Sequence, residues 1–183
     1  MSHSTTSRSS LIHPQKSVRG RPVLPEQITF VSVNSQSSHF KIVKGGFGKI
    51  IAPVYGDQEK AIEKIKSGED RTCEVMLNFA NPLGVLVYKN KLQSEYGLSQ
   101  GLELKTLFLL NPTKNSGNGF GSCLFKRVEV VAQEMGAKLI YCTASSKVDT
   151  SIRCAIKNGY EIIQTLEENE DQTLYLLVKE IYE

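Results

Sequence analysis

The residues best placed to do chemistry are Ser116-Gly117-Asn118-Gly119-Phe120-Gly121-Ser122, set between an apolar run and a run with helical spacing. Three glycines at alternate positions let backbone N–H groups come close to a ligand. The helix that follows adds unpaired donors and the positive end of its dipole at the same place. The pattern predicts a cradle for a pyrophosphate, with a flexible loop ending in a glycine cap as the plain alternative. Two other nucleotide sites are excluded by spacing. The G-x-x-x-x-G-K-[ST] phosphate loop has no counterpart, and the dinucleotide fingerprint needs Gly or Ala where Ser122 stands. That fingerprint also needs an acidic residue about 20 positions further on, where this chain has Cys142-Thr143-Ala144.

Other chemistries are poorly supplied. Cys73, Cys123, Cys142 and Cys154 form no C-x-x-C pair and have apolar neighbours, which reads as small buried hydrophobes in a reducing compartment, with no metal site. Outside the first 27 residues the only histidine is His39, in the polar run that begins at Ser35, so it reads as a surface residue. A Ser-His or Cys-His nucleophile would have to recruit it.

The elements that must hold the loop follow from periodicity. Strands are expected over Ile28–Val33, Cys73–Phe79, Leu83–Tyr88 and Leu102–Leu110, the second and third joined by the turn Ala80-Asn81-Pro82. A helix is expected over Asp57–Lys66, capped by Asp57 and ended by Gly68. After the loop Asn111–Gly119, Phe120, Leu124, Val128, Val131 and Met135 recur at helical spacing until Gly136. Then come a strand over Lys138–Cys142, a helix over Val148–Lys157, and strands over Tyr160–Gln164 and Gln172–Lys179 around an acidic turn. Such an order gives an α/β domain with a mixed sheet.

A chain of 183 residues is enough for one core. Residues 1–27 are rich in Ser and Pro without apolar period and read as a disordered basic tail; residues 28–183 read as the folded domain. The tail holds Arg8, Lys16, Arg19 and Arg21 against Glu26, which accounts for the whole net charge of +3. The remainder has 18 basic and 18 acidic residues, no excess of the kind a nucleic-acid backbone selects. No run approaches the ~20 apolar residues of a membrane span. A cytoplasmic protein is expected, with no membrane partner.

The loop resembles the Q/R-x-x-G-x-G/A segment of the GCN5-related N-acetyltransferases, on Ser116-Gly117-Asn118-Gly119-Phe120-Gly121. The strand ending Leu110-Asn111-Pro112, the strand Leu139–Cys142, the helix to Lys157 and the step Asn158-Gly159-Tyr160 are similar to that family's elements in the same order. The match covers about a third of the chain. It implies a mostly antiparallel sheet with splayed central strands flanked by helices, and acetyl-CoA as cosubstrate. Pyrophosphate would lie on the N–H groups of Gly117, Asn118, Gly119, Phe120, Gly121 and Ser122, after Ser116. Pantetheine would pair with the backbone near Leu109 and Leu110, where one amide would polarise the thioester carbonyl. Glu103 would be the base that takes a proton from the amine.

There are departures from the family. Ser116 replaces the usual Gln or Arg and Asn118 a common basic residue, leaving Lys114 or Arg127 to supply charge. The tyrosine that often protonates the leaving thiolate falls at Ala155. Tyr141 and Tyr160 are nearby in sequence but read as sheet aromatics. The leading expectation is transfer of an acetyl group to an amine of a small molecule or protein. The alternatives are toxin-like acetylation of aminoacyl-tRNA, the one nucleic-acid partner considered, and a non-catalytic acyl-CoA-binding module. A homodimer is an open possibility. Lys41–Asp70, which would build the acceptor site, reads as a mobile lid or a loop around Gly45, Gly46 and Gly48.

Overall fold

The computed structural model describes residues 27–182; the expected tail, Gln27 apart, lies outside them. The chain runs β1 (Ile28–Ser32), α1 (Phe40–Gly46), a π-helical turn (Phe47–Ile51), α2 (Ala52–Tyr55), α3 (Glu59–Ser67), β2 (Arg71–Asn78), β3 (Asn81–Lys89) and β4 (Gly101–Leu109). It continues through α4 (Pro112–Asn115), α5 (Phe120–Glu134), β5 (Leu139–Ser145), a 3₁₀ turn (Ser146–Val148), α6 (Asp149–Lys157), β6 (Glu161–Glu168) and β7 (Thr173–Glu180). All seven strands form one sheet in the order β1-β2-β3-β4-β5-β7-β6. Every neighbouring pair is antiparallel except β4 and β5.

The central strands are apolar on both faces because helices cover both. On one side Leu124 and Val128 of α5 pack with Met76, Leu86, Ile140 and Leu177. On the other, Val43, Phe47 and Ile65 of the α1–α3 segment pack with Val75, Val85 and Phe108. An ion pair also ties α5 to the sheet. Arg127 Nε and Nη2 donate to Glu74 Oε2 and Oε1 at 2.8 and 2.7 Å, Tyr88 donates to Oε1 at 3.0 Å, and the guanidinium lies 5.5 Å from the Phe30 ring centre.

The two halves of the sheet meet at β4 and β5, whose parallel pairing is confined to Gly101–Glu103 with Leu139–Tyr141. Beyond Glu103 the strands separate. At the same point β4 carries a bulge, its register to β3 shifting between Val87↔Thr106 and Tyr88↔Leu104. The extra residue, Lys105, reverses the alternation: Leu102 and Leu104 face α5, and so do Leu107 and Leu109. Glu103 lies on the face opposite Leu107 and Leu109.

Residues 40–55 form consecutive helical turns, so the expected loop around Gly45, Gly46 and Gly48 is corrected to helix. Gly46 is where this segment rests on the sheet, since a Cβ there would meet Phe108 at 2.7 Å. Asp57 precedes the helix by two residues and accepts from Glu59 N–H at 3.2 Å, leaving Gln58 as the N-cap residue. Gly68 closes α3 at φ +71°, as expected. The β2–β3 turn is Phe79-Ala80, with Phe79 at φ +53°. At the sheet's edge, β6 leaves Ile162 and Ile163 exposed. No helix among the described residues is long and apolar enough to cross a membrane.

Candidate functional site

The glycine loop leaves the end of β4 through Asn111 at φ +47° and the single turn of α4. Asn115 ties that turn down by donating from Nδ2 to Leu110 O at 2.5 Å. Gly117 and Gly119 then take φ of +81° and +79°, a conformation that costs other residues of order 1–3 kcal/mol. Gly119 is the residue before α5. Among the described residues, none of the N–H groups from Gly117 to Ser122 donates to a protein acceptor; the first that does is Cys123, to Gly119 O at 3.2 Å. A Cβ on Gly117 or Gly119 would meet no atom of the described residues within 4 Å. The result is a run of aligned donors around open space at a helix N-terminus, the arrangement an anion requires.

The third glycine has another task. A Cβ on Gly121 would lie 3.1 Å from Cys154 Sγ, so Gly121 lets α5 and α6 approach closely. Ser122 Oγ accepts from Asn158 Nδ2 at 3.1 Å and locks the same contact. Of the two cations considered for the phosphates, Lys114 is exposed on α4 beside the loop. Arg127 is committed to Glu74 and is removed from the site.

Beyond the loop, the separation of β4 and β5 opens a cavity of about 450 Å³ through the sheet. Phe125, Ile152, Ala155 and Leu177 wall it on the α5–α6 side, and Tyr55, Lys60, Lys64 and Arg71 on the α1–α3 side. The Leu110 N–H donates to Leu83 O at 2.8 Å across β3, so that amide is not exposed as expected. Because strand amides alternate in direction, the N–H groups of Leu109 and Leu107 are the ones that point toward the gap.

Glu103 stands at the apex where pairing ends, in register with Tyr141, and Lys105 Nζ lies 2.9 Å from its Oε1. Glu103 is outside the cavity wall, whereas Lys105 and Thr106 are part of it. Burial, and then the Glu103 carboxylate, push the Tyr141 phenol well above its ordinary value. Tyr160 is a core residue packed on Phe125 at 5.3 Å, its phenol likewise pushed up by burial. His39 sits half-buried at the start of α1. Among the described residues no group of His, Cys, Asp or Glu is arranged to hold a metal, and the four cysteines are free. Cys142 touches the cavity with its thiol pushed up to about 12 by burial, which disfavours the thiolate a nucleophile needs.

Three cavity residues escaped the sequence reading. Ala155 was noted there as an absence, yet Ser151, one helical turn earlier, brings a hydroxyl to the same wall. Tyr55 reaches across from α2, its oxygen accepting Ser145 N–H at 3.1 Å, and burial raises its phenol so that it holds its proton. Arg71 begins β2 and is 8% exposed. The signal for Tyr55 lay in the apolar spacing of Phe47, Ile51 and Tyr55 around Pro53. Nothing in the local sequence marks Arg71.

No protein-family model matches the chain, and no curated protein matches it in sequence. Solved structures do match. Spermidine N-acetyltransferase from Vibrio cholerae, solved with CoA and spermine, has a TM-score of 0.67 at 11% identity, over 86% of this chain and 97% of that one. NAA60 of Arabidopsis thaliana, solved with a bisubstrate analogue, has 0.66 at 14% identity over 84% and 97%. A Desulfovibrio desulfuricans protein classed with the GNAT-family acetyltransferases has 0.66 at 11% identity over 85% and 99%. The fold is that of the GCN5-related N-acetyltransferase superfamily.

Proposed function

We propose that this protein is a cytoplasmic N-acetyltransferase that moves the acetyl group of acetyl-CoA to an amine of a small molecule or protein. The observation that carries the reading is continuity. The unpaired N–H groups of Leu107 and Leu109 along the gap lead to the unpaired N–H groups of Gly117–Ser122 at the α5 N-terminus. One long ligand with amide groups at one end and a pyrophosphate at the other uses both sets.

Acetyl-CoA supplies an acetyl group activated as a thioester, which the amine accepts as the CoA thiolate leaves. The chain contributes position and proton handling. Gly117–Ser122 and Lys114 hold the phosphates, and Leu107 or Leu109 N–H is the donor available to the thioester carbonyl. Glu103 receives the amine proton through water at the gap's apex. Ala155 has no proton to give, and the Ser151 and Tyr55 hydroxyls are the donors on the cavity wall. A thiol of ordinary pKa near ~8.5 also leaves without much assistance.

Acetyl-CoA at about 100 times its dissociation constant adds about 2.7 kcal/mol to stability, an upward melting shift of roughly 5–10 °C for this size. A thermal melt without any shift at saturating acetyl-CoA removes the proposal. For Glu103→Gln, the expected result is a loss of about 10–100-fold in kcat/KM for the acceptor and unchanged CoA affinity. Lys105 already engages one carboxylate oxygen, which places the expected loss at the lower end. Wild-type rates at every pH leave Glu103 as the ion-pair partner of Lys105 alone.

Ala155 on the cavity wall favours one second reading, an acyl-CoA-binding module without turnover. Release of free CoA thiol with an amine acceptor separates the two: the enzyme yields it, and the module does not.

A further inference from the structure

The charged residues on the cavity wall are all cations. Among the described residues Lys60, Lys64, Arg71 and Lys105 line it, and no Asp or Glu does. Arg71 and the two lysines of α3 belong to the α1–α3 side of the sheet: Cys73 and Val75, two and four residues beyond Arg71, pack in the core on that side. The glycine loop starts α5, which covers the other face, and Lys105 precedes the end of β4 by roughly 15 Å of strand. These cations are thus on the acceptor side of the gap, away from the phosphate cradle.

Arg71 is the informative member. Its Nε donates to Asp70 Oδ1 at 2.8 Å, and among the described residues Asp70 is its only side-chain partner. Arg71 is 8% exposed and lines the cavity, and Asp70 takes only its Nε, which leaves the terminal Nη edge of the guanidinium unused by Asp70. Asp70 also holds Lys64 at 3.2 Å and Lys89 at 2.8 Å, one carboxylate among three cations. The beside-lying cations, Arg71 first, keep the Asp70 carboxyl well below the usual carboxylate range, so it stays charged and holds Arg71 by Nε. Glu103 balances Lys105. Lys60 is exposed and has no ion-pair partner among the described residues, and Glu59 and Glu63 of α3 are outside the cavity wall. Four cations, Lys64, Arg71, Lys89 and Lys105, therefore share two carboxylates, Asp70 and Glu103, and Lys60 adds a fifth positive charge beside them.

We propose that the acceptor is a small amine that also carries a carboxylate, an amino acid or close relative, with its carboxylate on the open edge of Arg71 and beside Lys60. The proposal rests on the acetyltransferase reading and names the acceptor class for it. Guanidinium and carboxylate match as a planar two-point pair, stronger than a neutral hydrogen bond. The same field repels a polyamine, whose additional ammonium groups would meet unbalanced lysines. It also helps the chemistry, since neighbouring cations lower an amine's pKa and favour the neutral nucleophile.

The test is release of CoA thiol from acetyl-CoA with glycine, β-alanine and glutamate, each against its carboxamide, and with spermidine. The expected result is a kcat/KM at least about tenfold higher for carboxylates than for their carboxamides, the scale of one charge-assisted pair. Arg71→Gln brings that ratio close to one. Should that buried change prevent folding, the exposed Lys60→Glu serves, and it lowers the ratio by about threefold or more through charge alone. Carboxamides or spermidine consumed as well as carboxylates overturn the proposal. So does acetyl-CoA that binds and shifts the melt while no carboxylate acceptor is consumed. Absence of the melt shift itself is the different result that removes the acetyltransferase reading beneath it.

Discussion

Gly119→Val is expected to raise the dissociation constant for acetyl-CoA by about 100-fold or more and leave a folded protein. Gly119 sits at φ +79° immediately before α5, and a β-branched residue resists that conformation. Strain of about 1–3 kcal/mol would tilt the neighbouring N–H groups out of line. The added side chain would enter space where no atom of the described residues lies within 4 Å, so it collides with a bound phosphate rather than with the fold. Losing two charge-assisted hydrogen bonds, each about 1.5–3 kcal/mol, already reaches the stated factor. Calorimetric titration with acetyl-CoA measures it, with circular dichroism as the control for folding. Unchanged affinity in a folded Gly119→Val protein makes the glycines a hinge and no cradle.

The second large effect is on stability, where Arg127→Met is expected to lower the unfolding free energy by about 3–5 kcal/mol. Glu74 is 4% exposed, and the substitution leaves its carboxylate buried with only the Tyr88 hydroxyl as donor. An uncompensated buried charge costs far more than the ion pair contributes when intact. Adding Glu74→Leu therefore returns part of the loss, though the Tyr88 hydroxyl then lacks its acceptor. Urea denaturation of the two variants measures both numbers. A change below about 1 kcal/mol in Arg127→Met would show that water reaches Glu74 and that the pair is a surface one.

What the sequence revealed was what local chemistry encodes. The glycine loop is written in adjacent residues, Gly117 and Gly119 needing positive φ and α5 announcing itself by Leu124, Val128 and Val131. Gly68 as the end of α3 is legible for the same reason. The rest depends on partners far apart. Arg127 looked like a free cation because Glu74 is 53 residues away. Leu110 looked like a donor because its acceptor, Leu83, is on another strand. The bulge at Lys105 leaves no mark in a pattern of apolar residues and reverses the faces of everything before it. Residues 40–55 misled through composition, since three glycines within four residues suggest a loop until Gly46 is seen to rest on Phe108. Tyr55 and Arg71 gained their meaning only when the sheet opened between β4 and β5, and no single-strand pattern records that opening.

The exposed edge formed by β6 has a consequence for how copies of this chain behave at high concentration. An unpaired strand displaying Ile162 and Ile163 invites another strand to add to it, the first step toward fibrous aggregation. Here the invitation is withdrawn by the residues around them. A second β6 laid antiparallel about Gln164 would set Glu161 against Glu167, and Glu168 and Glu170 would crowd the same end with more negative charge. The two isoleucines are thus guarded by their own strand. Glu161 and Glu167 changed together to glutamine would turn this edge into the aggregation-prone surface of the fold.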